Sequence, residues 1–191
     1  FFNEKAPLWD SMQEVPEGKL RRLLSLLPIT RGGVILDVGS GTGVLVPFLR
    51  ELFSPLLIVE LDIAEAMLSE ARKKFGDEGI RYVLGDAKDV ELEETFDAIL
   101  CYSSFPHFED KEGTVRHLTF FLKDGGVFAI LHTSGRKIIH AIHAENEVTK
   151  NHLLPEGEEV ARMLTKLGLR VFAVLDTEEE YLVAGVKEGV Q

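Results

Sequence analysis

The sequence is most informative between residues 34 and 44, which read Val34-Ile35-Leu36-Asp37-Val38-Gly39-Ser40-Gly41-Thr42-Gly43-Val44. The first five of these residues form a short run rich in β-branched side chains, which predicts a buried strand. The three alternating glycines that follow let the chain turn sharply and leave its backbone open to a ligand. A tight turn alone would not need three glycines. The pattern therefore predicts a binding loop at the carboxyl end of the first strand, where open α/β sheets bind their ligands.

The spacing of the glycines bears on the kind of ligand. A dinucleotide-binding fingerprint has glycines at its first, third and sixth positions. Here the third glycine, Gly43, comes at the fifth position, and Val44 occupies the sixth. Asp37, two residues before the turn, is poorly placed beside a pyrophosphate and well placed to meet an ammonium group. The loop therefore favours a ligand with an amino-acid end over a nicotinamide dinucleotide.

An acidic residue also ends the second predicted strand. Asp62 lies 23 residues after Gly39, where a carboxylate can accept hydrogen bonds from both hydroxyls of a ribose. Glu60 is an alternative for this role, because strand alternation places it on the same face. Asp62 could in addition cap the helix that follows. Asp62 is the preferred ribose ligand because it lies nearer the open end of the strand.

A third acidic residue ends the third predicted strand. Asp86 could accept a hydrogen bond from an adenine amino group, and Ala87 could offer its backbone N–H to the ring. Ile63 and Met67 could supply apolar surface for the ring faces, although a Met at helical spacing is more often ordinary core. The three successive strand ends together predict a pocket for a nucleoside joined to an amino acid.

Strand-like and helix-like segments alternate along the whole chain. Strands are predicted at residues 34–38, 56–59, 80–84, 96–100, 127–131, 169–175 and 180–186. Helices are predicted at residues 17–27, 44–53, 63–75, 115–122 and 156–167, and Gly125-Gly126 is expected to be a break before the fifth strand. Buried strands joined by helical crossovers indicate an α/β fold, a doubly wound, seven-stranded, mostly parallel sheet with helices on both faces. The last two strands are too close in sequence for a crossover, which predicts a C-terminal hairpin with an antiparallel strand at the edge of the sheet.

Composition places the chain among globular proteins. It has 191 residues, of which 45% are hydrophobic and 28% charged, enough for one domain with a sizeable core. No apolar run approaches the roughly 18 residues that a membrane span requires. The start of the chain lacks the layout of a signal peptide, and a single cysteine fits a reducing compartment. We therefore expect a soluble, cytoplasmic domain.

The net charge of the chain is −11, which bears on its partners. Binding to nucleic acid or to anionic lipid depends on clustered Lys and Arg. The longest basic cluster, Arg72-Lys73-Lys74, lies on a predicted helix among acidic residues and indicates a solvated helix face. We therefore expect no nucleic-acid partner and no membrane partner, and the charge favours a neutral or cationic small molecule. The sequence leaves the oligomeric state open.

Several motifs together resemble those of class I S-adenosylmethionine-dependent methyltransferases. The run 35–43 resembles their glycine-rich signature, and the run 60–68, Glu60-Leu61-Asp62-Ile63-Ala64-Glu65-Ala66-Met67-Leu68, resembles their second motif. The segments 85–87, 96–99 and 122–126 resemble the third, fourth and fifth. The order and spacing match over roughly residues 30–135. The sequence departs from the family at Glu60, where glycine is common.

This resemblance implies an enzyme that uses S-adenosylmethionine and forms S-adenosylhomocysteine. It implies a single domain over residues 1–191, with an N-terminal arm and helix over the cleft (1–28), a cofactor-binding core (29–135) and a helix with the terminal hairpin (136–191). The cofactor-binding residues that it implies are Asp37, Gly39, Ser40, Gly41, Thr42, Gly43, Asp62, Ile63, Met67, Asp86, Ala87 and Cys101. Cys101 is expected to be a small buried residue near the cofactor and not a nucleophile.

The residues that would contact a methyl acceptor are expected after the fourth and fifth strands. The segment after strand four, 101–108, lacks the Asn/Asp-Pro-Pro-Tyr/Phe motif of amino-directed nucleic-acid methyltransferases. His107 and His143 are the first two candidates for a general base, ahead of His132, because an imidazole titrates near neutral pH. His140 and His143 could in principle share a metal, but no further ligands at suitable spacing accompany them, so no metal site is predicted.

Two functions fit these observations. One is an S-adenosylmethionine-dependent methyltransferase that acts on a small molecule by in-line displacement. The other is a catalytically silent module of the same fold that binds the cofactor and serves as a sensor or partner subunit. The glycine loop and the strand-end acids fit both, because they concern binding and not turnover.

Overall fold

The structure is a computed structural model, which describes residues 2–12 and 14–189. The predicted segments 1–28 and 136–191 also include Phe1, Gln13, Val190 and Gln191, which lie outside the described residues. Seven strands form one sheet: β1 (Val34–Val38), β2 (Leu57–Asp62), β3 (Ile80–Leu84), β4 (Phe96–Tyr102), β5 (Leu122–His132), β6 (Leu169–Asp176) and β7 (Tyr181–Lys187). Their order is β3-β2-β1-β4-β5-β7-β6, and β7 runs antiparallel to both of its neighbours, β5 and β6. The predicted fold class is confirmed.

Helices cover both faces of this sheet. They are α1 (Phe2–Lys5), α2 (Trp9–Met12), α3 (Glu17–Ser25), α4 (Val46–Phe53), α5 (Glu65–Phe75), α6 (Lys111–Thr119), α7 (Arg136–Ala144) and α8 (Gly157–Lys166), with short 3₁₀ turns at Ala6–Leu8 and Phe105–His107. One apolar core lies between the sheet and α3 and α4, and a second lies between the sheet and α6 and α8. No helix within the described residues is long and apolar enough to cross a membrane.

Two predicted boundaries near the fifth strand were wrong. The Gly125-Gly126 pair does not precede β5 but lies inside it, because Leu122 already pairs with Phe96 and a register shift accommodates the extra residues. The helix predicted at residues 115–122 instead spans 111–119, because Asp110 caps it by accepting a hydrogen bond from the Gly113 N–H at 2.8 Å. Neither change alters the topology.

The C-terminal hairpin forms as predicted, but its antiparallel strand is not at the edge. Strand β7 lies between β5 and β6, and β6 is outermost. The burial of the two strands explains this order. Residues 181–185 of β7 are all buried, whereas in β6 only Leu169 is buried and the other residues are half-buried or exposed.

The strand order places a binding crevice at β1. The chain proceeds from β1 through β2 to β3 on one side and from β4 to β5 on the other, so the direction of winding reverses between β1 and β4. Loops that follow two such strands diverge and leave a cleft beyond their carboxyl ends. The glycine loop follows β1 at this point.

Candidate active site

A cleft of about 1090 Å³ opens at the carboxyl ends of the central strands. Thirteen of the fourteen predicted site residues line it: Asp37, Gly39, Ser40, Gly41, Thr42, Gly43, Asp62, Ile63, Met67, Asp86, Ala87, His107 and His143. The fourteenth, Cys101, is fully buried in the apolar core, and burial raises the pKa of its thiol. The wall of the cleft beyond β4 is formed instead by the next three residues, Tyr102, Ser103 and Ser104.

The glycine loop is held tightly against β2 and the loop after β4. Gly39 has a φ of +67°, and a Cβ atom on it would lie 2.5 Å from the Cβ of Ser104. The Ser104 hydroxyl donates a hydrogen bond to the Val38 carbonyl at 2.6 Å. The Gly39 N–H also donates to the Leu61 carbonyl at 2.8 Å. The close approach of the two loops explains why a residue without a side chain is needed here.

Asp37 lines the cleft and forms no ion pair with any of the residues that the structure describes. Its side chain is buried, and its Oδ2 atom has no hydrogen-bond partner among the described residues. Burial, with a smaller contribution from Asp62, raises the pKa of Asp37 to about 8. A buried carboxyl group that lacks a partner is costly unless a ligand supplies one. Asp37 therefore fits an ammonium group, as the sequence indicated.

Asp62 connects β2 to the glycine loop. Its Oδ2 accepts a hydrogen bond from the Gly41 N–H at 2.8 Å, and its Oδ1 accepts one from the Ala64 N–H at 2.8 Å. Burial raises the pKa of Asp62, while these N–H groups act in the opposite direction. Helix α5 begins at Glu65 with Ala64 at its N-cap position, so Asp62 stabilises the turn before the helix and does not occupy the cap itself.

Glu60, the alternative to Asp62, lies elsewhere. It is fully buried within the sheet and is not among the residues that line the cleft. Burial and the nearby Asp37 raise the pKa of Glu60 well above its usual value, and the Ser40 hydroxyl acts in the opposite direction. Neither Glu60 nor the Ser40 hydroxyl makes a hydrogen bond of normal geometry within the described residues.

The residues predicted to surround an adenine ring lie together at the end of the cleft near β3. The Asp86 carboxylate accepts a hydrogen bond from the Lys88 N–H and pairs with the Lys88 ammonium at 3.2 Å. Ile63 exposes 62% of its surface, which is unusual for its type and leaves apolar surface open to a ligand. Met67 is buried beneath the N-terminal segment and contributes to the cleft wall.

The N-terminal segment, residues 2–12, covers this part of the cleft. Asp10 accepts a hydrogen bond from the Thr42 hydroxyl at 2.5 Å and pairs with the Lys74 ammonium at 2.8 Å. Phe2 and Trp9 pack edge to face, with ring centres 5.8 Å apart, and both line the cleft. These contacts hold the segment over the glycine loop and α5.

Histidines gather at the other end of the cleft. His107 follows β4, His132 ends β5 and His143 lies on α7, and all three line the cleft. Burial lowers the pKa of both His107 and His132 to about 3. His140 lies apart, where it accepts a hydrogen bond from the Leu154 N–H at 3.0 Å. Within residues 2–12 and 14–189, no three His, Cys, Asp or Glu side chains are grouped so as to hold a metal ion.

One further residue, His152, was not predicted from the sequence. Its Nδ1 lies 2.8 Å from the Nδ1 of His107. It follows α7 in an irregular segment where no periodicity or motif marks it. His152 does not follow a strand in the sequence. It comes close to the end of β4 only because the segment after α7 folds back toward it.

Comparisons with known proteins show the family to which the chain belongs. A family model described as a methyltransferase domain matches residues 36–130, about half of the chain. The chain belongs to the class I S-adenosylmethionine-dependent methyltransferases. The matched region contains the glycine loop and the acids that end β2 and β3, so it includes all twelve predicted cofactor-binding residues.

One curated relative is named malonyl-[acyl-carrier protein] O-methyltransferase and comes from Acetivibrio thermocellus. It is 28% identical over 184 residues, which cover 92% of this chain and 65% of the relative. A relative of the same name from Bacillus anthracis is 26% identical over 90% of this chain and 63% of its own length. The chain spans about half to two thirds of the length of the first curated relatives that it matches.

Solved structures share the fold. The complex between the Haloferax volcanii Trm112 methyltransferase activator and its candidate methyltransferase contains a chain that matches with a TM-score of 0.82 and 19% identity, with 98% of both chains covered. A SAM-dependent methyltransferase from Aquifex aeolicus matches with a TM-score of 0.73 and 18% identity, over 92% of this chain and 95% of the other.

Proposed function

We propose that the chain transfers a methyl group from S-adenosylmethionine to a small-molecule acceptor by in-line displacement. The observation that carries this proposal is Asp37. Its buried, unpartnered carboxyl oxygen faces the same cleft as the glycine loop. That arrangement suits the ammonium of an amino-acid moiety, while the acids after β2 and β3 suit the nucleoside attached to it.

Each part of the cofactor has a partner in this proposal. Asp37 holds the ammonium group, and the backbone of residues 39–43 lies along the amino-acid chain. Asp62 binds the ribose hydroxyls, because a carboxylate has about four acceptor positions and the N–H groups of Gly41, Ala64 and Ile63 do not use all of them. Asp86 and Ala87 meet the adenine edge. Glu60 is too enclosed for the ribose role, which favours Asp62.

The bound cofactor supplies an activated methyl group on a sulfonium, and the protein aligns the acceptor with it and excludes water. The N-terminal segment covers one end of the cleft through Phe2 and Trp9. At the other end, Tyr102 and Thr133 form a polar wall, with their hydroxyl oxygens 3.1 Å apart. The acceptor would lie between this wall and the histidines.

The names of the curated relatives suggest a second candidate acceptor, a malonyl group on a carrier protein. A malonyl group bound through one end carries a free carboxylate, which needs a cation nearby. Among the described residues of the cleft wall, the Lys side chains are Lys74 and Lys88, and both are paired with Asp residues. The histidine end instead carries Glu109, Asp110 and Glu145. This charge pattern favours a neutral or cationic acceptor.

The proposal is tested with labelled S-adenosylmethionine and two kinds of acceptor, a small-molecule cell extract and a malonyl-loaded carrier protein. Label should enter a small molecule. If label enters only the carrier protein, the acceptor is the malonyl group and not a free small molecule. Tight cofactor binding with no labelled product from either source would favour the catalytically silent module.

The cofactor contacts are tested by calorimetry on two neighbouring acids of β2. Asp62→Ala should weaken binding of S-adenosylhomocysteine by about 2 kcal/mol or more, roughly 30-fold, because the ribose hydroxyls lose a charged acceptor and the glycine loop loses an anchor. Glu60→Gln is the matched control and should change affinity by only a few-fold. A larger loss in Glu60→Gln would assign the ribose to Glu60, and tighter binding of NAD than of S-adenosylhomocysteine would overturn the cofactor assignment.

A further inference from the structure

The imidazole of His107, in the wall of the cleft, contacts the imidazole of His152. His107 lines the cleft, whereas His152 is not among the lining residues and lies behind it. Their Nδ1 atoms are 2.8 Å apart, which is a hydrogen-bond distance. One Nδ1 must therefore carry a proton and the other must accept it. The pair therefore connects the cleft to a half-buried ring that does not line it.

The charged and titratable groups around the pair favour a proton on the outer ring. His107 is enclosed by the ring of Phe2, with centres 5.4 Å apart, and by the ring of His143, 5.0 Å away. Burial, then His143, His152 and Lys111, lowers the pKa of His107 to about 3. Burial, His143 and Lys111 also lower the pKa of His152, but Glu109 acts to raise it.

The neighbouring groups are themselves fixed in place. The His143 Nδ1–H donates to the backbone carbonyl of His152 at 2.6 Å, which anchors the segment that carries His152. The Lys111 ammonium donates to the Phe108 carbonyl at 2.9 Å and to the Pro106 carbonyl at 3.2 Å. The Lys111 ammonium is therefore already hydrogen-bonded to backbone carbonyls. Lys111 is also not among the residues that line the cleft.

We propose that His107 and His152 form a proton relay, which takes the proton that an N–H or O–H acceptor loses on methylation. This inference rests on the proposed function and narrows its substrate class to amines and hydroxyl compounds. As the acceptor atom attacks, its proton passes to Nε2 of His107, the Nδ1–H of His107 passes to Nδ1 of His152, and the Nε2–H of His152 is released to water. Exchange of ring protons with water before the next turnover restores the Nδ1–H of His107 and the Nε2–H of His152, which is the resting state. The new bond joins the acceptor atom to the methyl carbon, the carbon–sulfur bond breaks, and sulfur keeps the electron pair.

The relay explains how the half-buried imidazole of His107, whose pKa is lowered, can serve as a base. His107 alone would have to hold a positive charge in an enclosed site beside other histidines and Lys111, which is unfavourable. Transfer of its second proton moves the charge to His152, which is less enclosed and close to Glu109. A carboxylate acceptor would have no proton to give at neutral pH and would leave this pair without a role.

The arrangement of protons can be measured without knowing the acceptor. Long-range ¹H–¹⁵N spectra of the full chain with S-adenosylhomocysteine report which ring nitrogens carry protons, and His107→Gln and His152→Asn assign the signals. We expect a proton on Nδ1 of His107 and none on its Nε2 or on Nδ1 of His152. A proton on Nε2 of His107 instead would overturn the relay, because that nitrogen could not accept another.

The second arm measures the initial rate of methyl transfer from labelled S-adenosylmethionine into the same small-molecule extract. His152→Asn keeps a hydrogen-bond acceptor near the position of Nδ1 but cannot take up a proton, so it separates proton transfer from orientation. Both His152→Asn and His152→Ala should lower the rate by about 10²-fold or more while S-adenosylhomocysteine affinity holds. A wild-type rate in His152→Asn would overturn the relay and leave His152 an orienting role.

His117→Gln is the control for replacing a histidine. His117 lies on α6, donates a hydrogen bond to the Val90 carbonyl and is not among the residues that line the cleft. The His117→Gln variant should therefore transfer methyl groups at a rate near that of the wild type. The two arms also separate this inference from the proposed function. Absence of any labelled product together with the expected ring protonation would count against the enzyme activity, whereas the reverse protonation would count against the relay alone.

Discussion

The ionisation of the Asp37 carboxyl group depends on the charge of the ligand that binds in the cleft. This carboxyl group is buried near Asp62, its residue pairs in the sheet with the equally buried Glu60, and its pKa is raised to about 8. In the free protein it is therefore mostly protonated at neutral pH. A cationic ligand favours the ionised form, so binding must release a proton wherever the free carboxyl group is protonated.

Cofactor affinity should consequently rise with pH up to about pH 8 and then level off. Each pH unit below the pKa of Asp37 should weaken binding of S-adenosylhomocysteine by up to about tenfold, which is about 1.4 kcal/mol. Calorimetry at pH 6, 7 and 8 in two buffers of different ionisation enthalpy measures both the affinity and the proton release.

Asp37→Asn is the control for this pH dependence, because an amide keeps the shape of the side chain and cannot ionise. This variant should bind more weakly and should show little change between pH 6 and pH 8. If the variant keeps the pH dependence of the wild type, the titration belongs to Glu60 or Asp62, and Asp37 does not hold the ammonium group.

The sequence was a good guide to the residues that follow strands and a poor guide to those that do not. Asp37, Asp62 and Asp86 could be assigned to the cleft because parallel strands bring their carboxyl ends to one edge of the sheet. Cys101 was expected to be a small buried residue near the cofactor; it is buried as expected, but it belongs to the apolar core and does not line the cleft. His152 could not be predicted, because an irregular segment brings it to His107.

The loop between β1 and α4 joins the sheet to the cleft, and its shape depends on contact with the loop after β4. Gly39 is the point of closest approach, because a Cβ there would lie 2.5 Å from the Cβ of Ser104. Ser104 cannot move away freely, since its hydroxyl is bonded to Val38 at 2.6 Å. Both loops therefore depend on the absence of a side chain at residue 39.

Gly39→Ala should destabilise the fold by more than the cost of its backbone conformation. A left-handed backbone costs a non-glycine residue about 1–2 kcal/mol, and the overlap with Ser104 should add about 1–3 kcal/mol. Chemical denaturation measures the free energy of unfolding of the variant and of the wild type.

Gly32→Ala is the matched control, because Gly32 has a similar φ of +74° and no atom within 4 Å of the position of its Cβ. It should show the backbone cost alone. Equal losses in the two variants would mean that the contact with Ser104 is easily relieved and does not shape the loop.

Element boundaries were harder to predict than element order. The Gly125-Gly126 pair indicated a break, yet β5 runs through it because Leu122 pairs with Phe96 before the shift in register. Helix α6 begins earlier than the apolar pattern suggests because Asp110 caps it. In both cases a contact outside the local pattern decided where the element begins.

The position of the cleft on the sheet and the net charge of the chain decide which molecules can approach the cleft. The reversal between β1 and β4 opens the cleft toward solvent at one edge of the sheet, and the chain as a whole carries a charge of −11. The basic residues 72–74 do not form a free patch, since Arg72 pairs with Asp77, Lys73 with Glu70 and Lys74 with Asp10. A polyanion would meet mostly repulsive charge.

We therefore predict that nucleic acid is not the methyl acceptor. Gel shifts with a transfer RNA and with a short DNA duplex at low salt should show at most weak binding that disappears as salt is raised, because such binding rests on released counterions. Labelled S-adenosylmethionine incubated with the same nucleic acids should leave them unlabelled, while a small-molecule extract in a parallel reaction is labelled. Sequence-dependent methylation of either nucleic acid would contradict the prediction and would require a basic groove that the paired side chains of α5 do not provide.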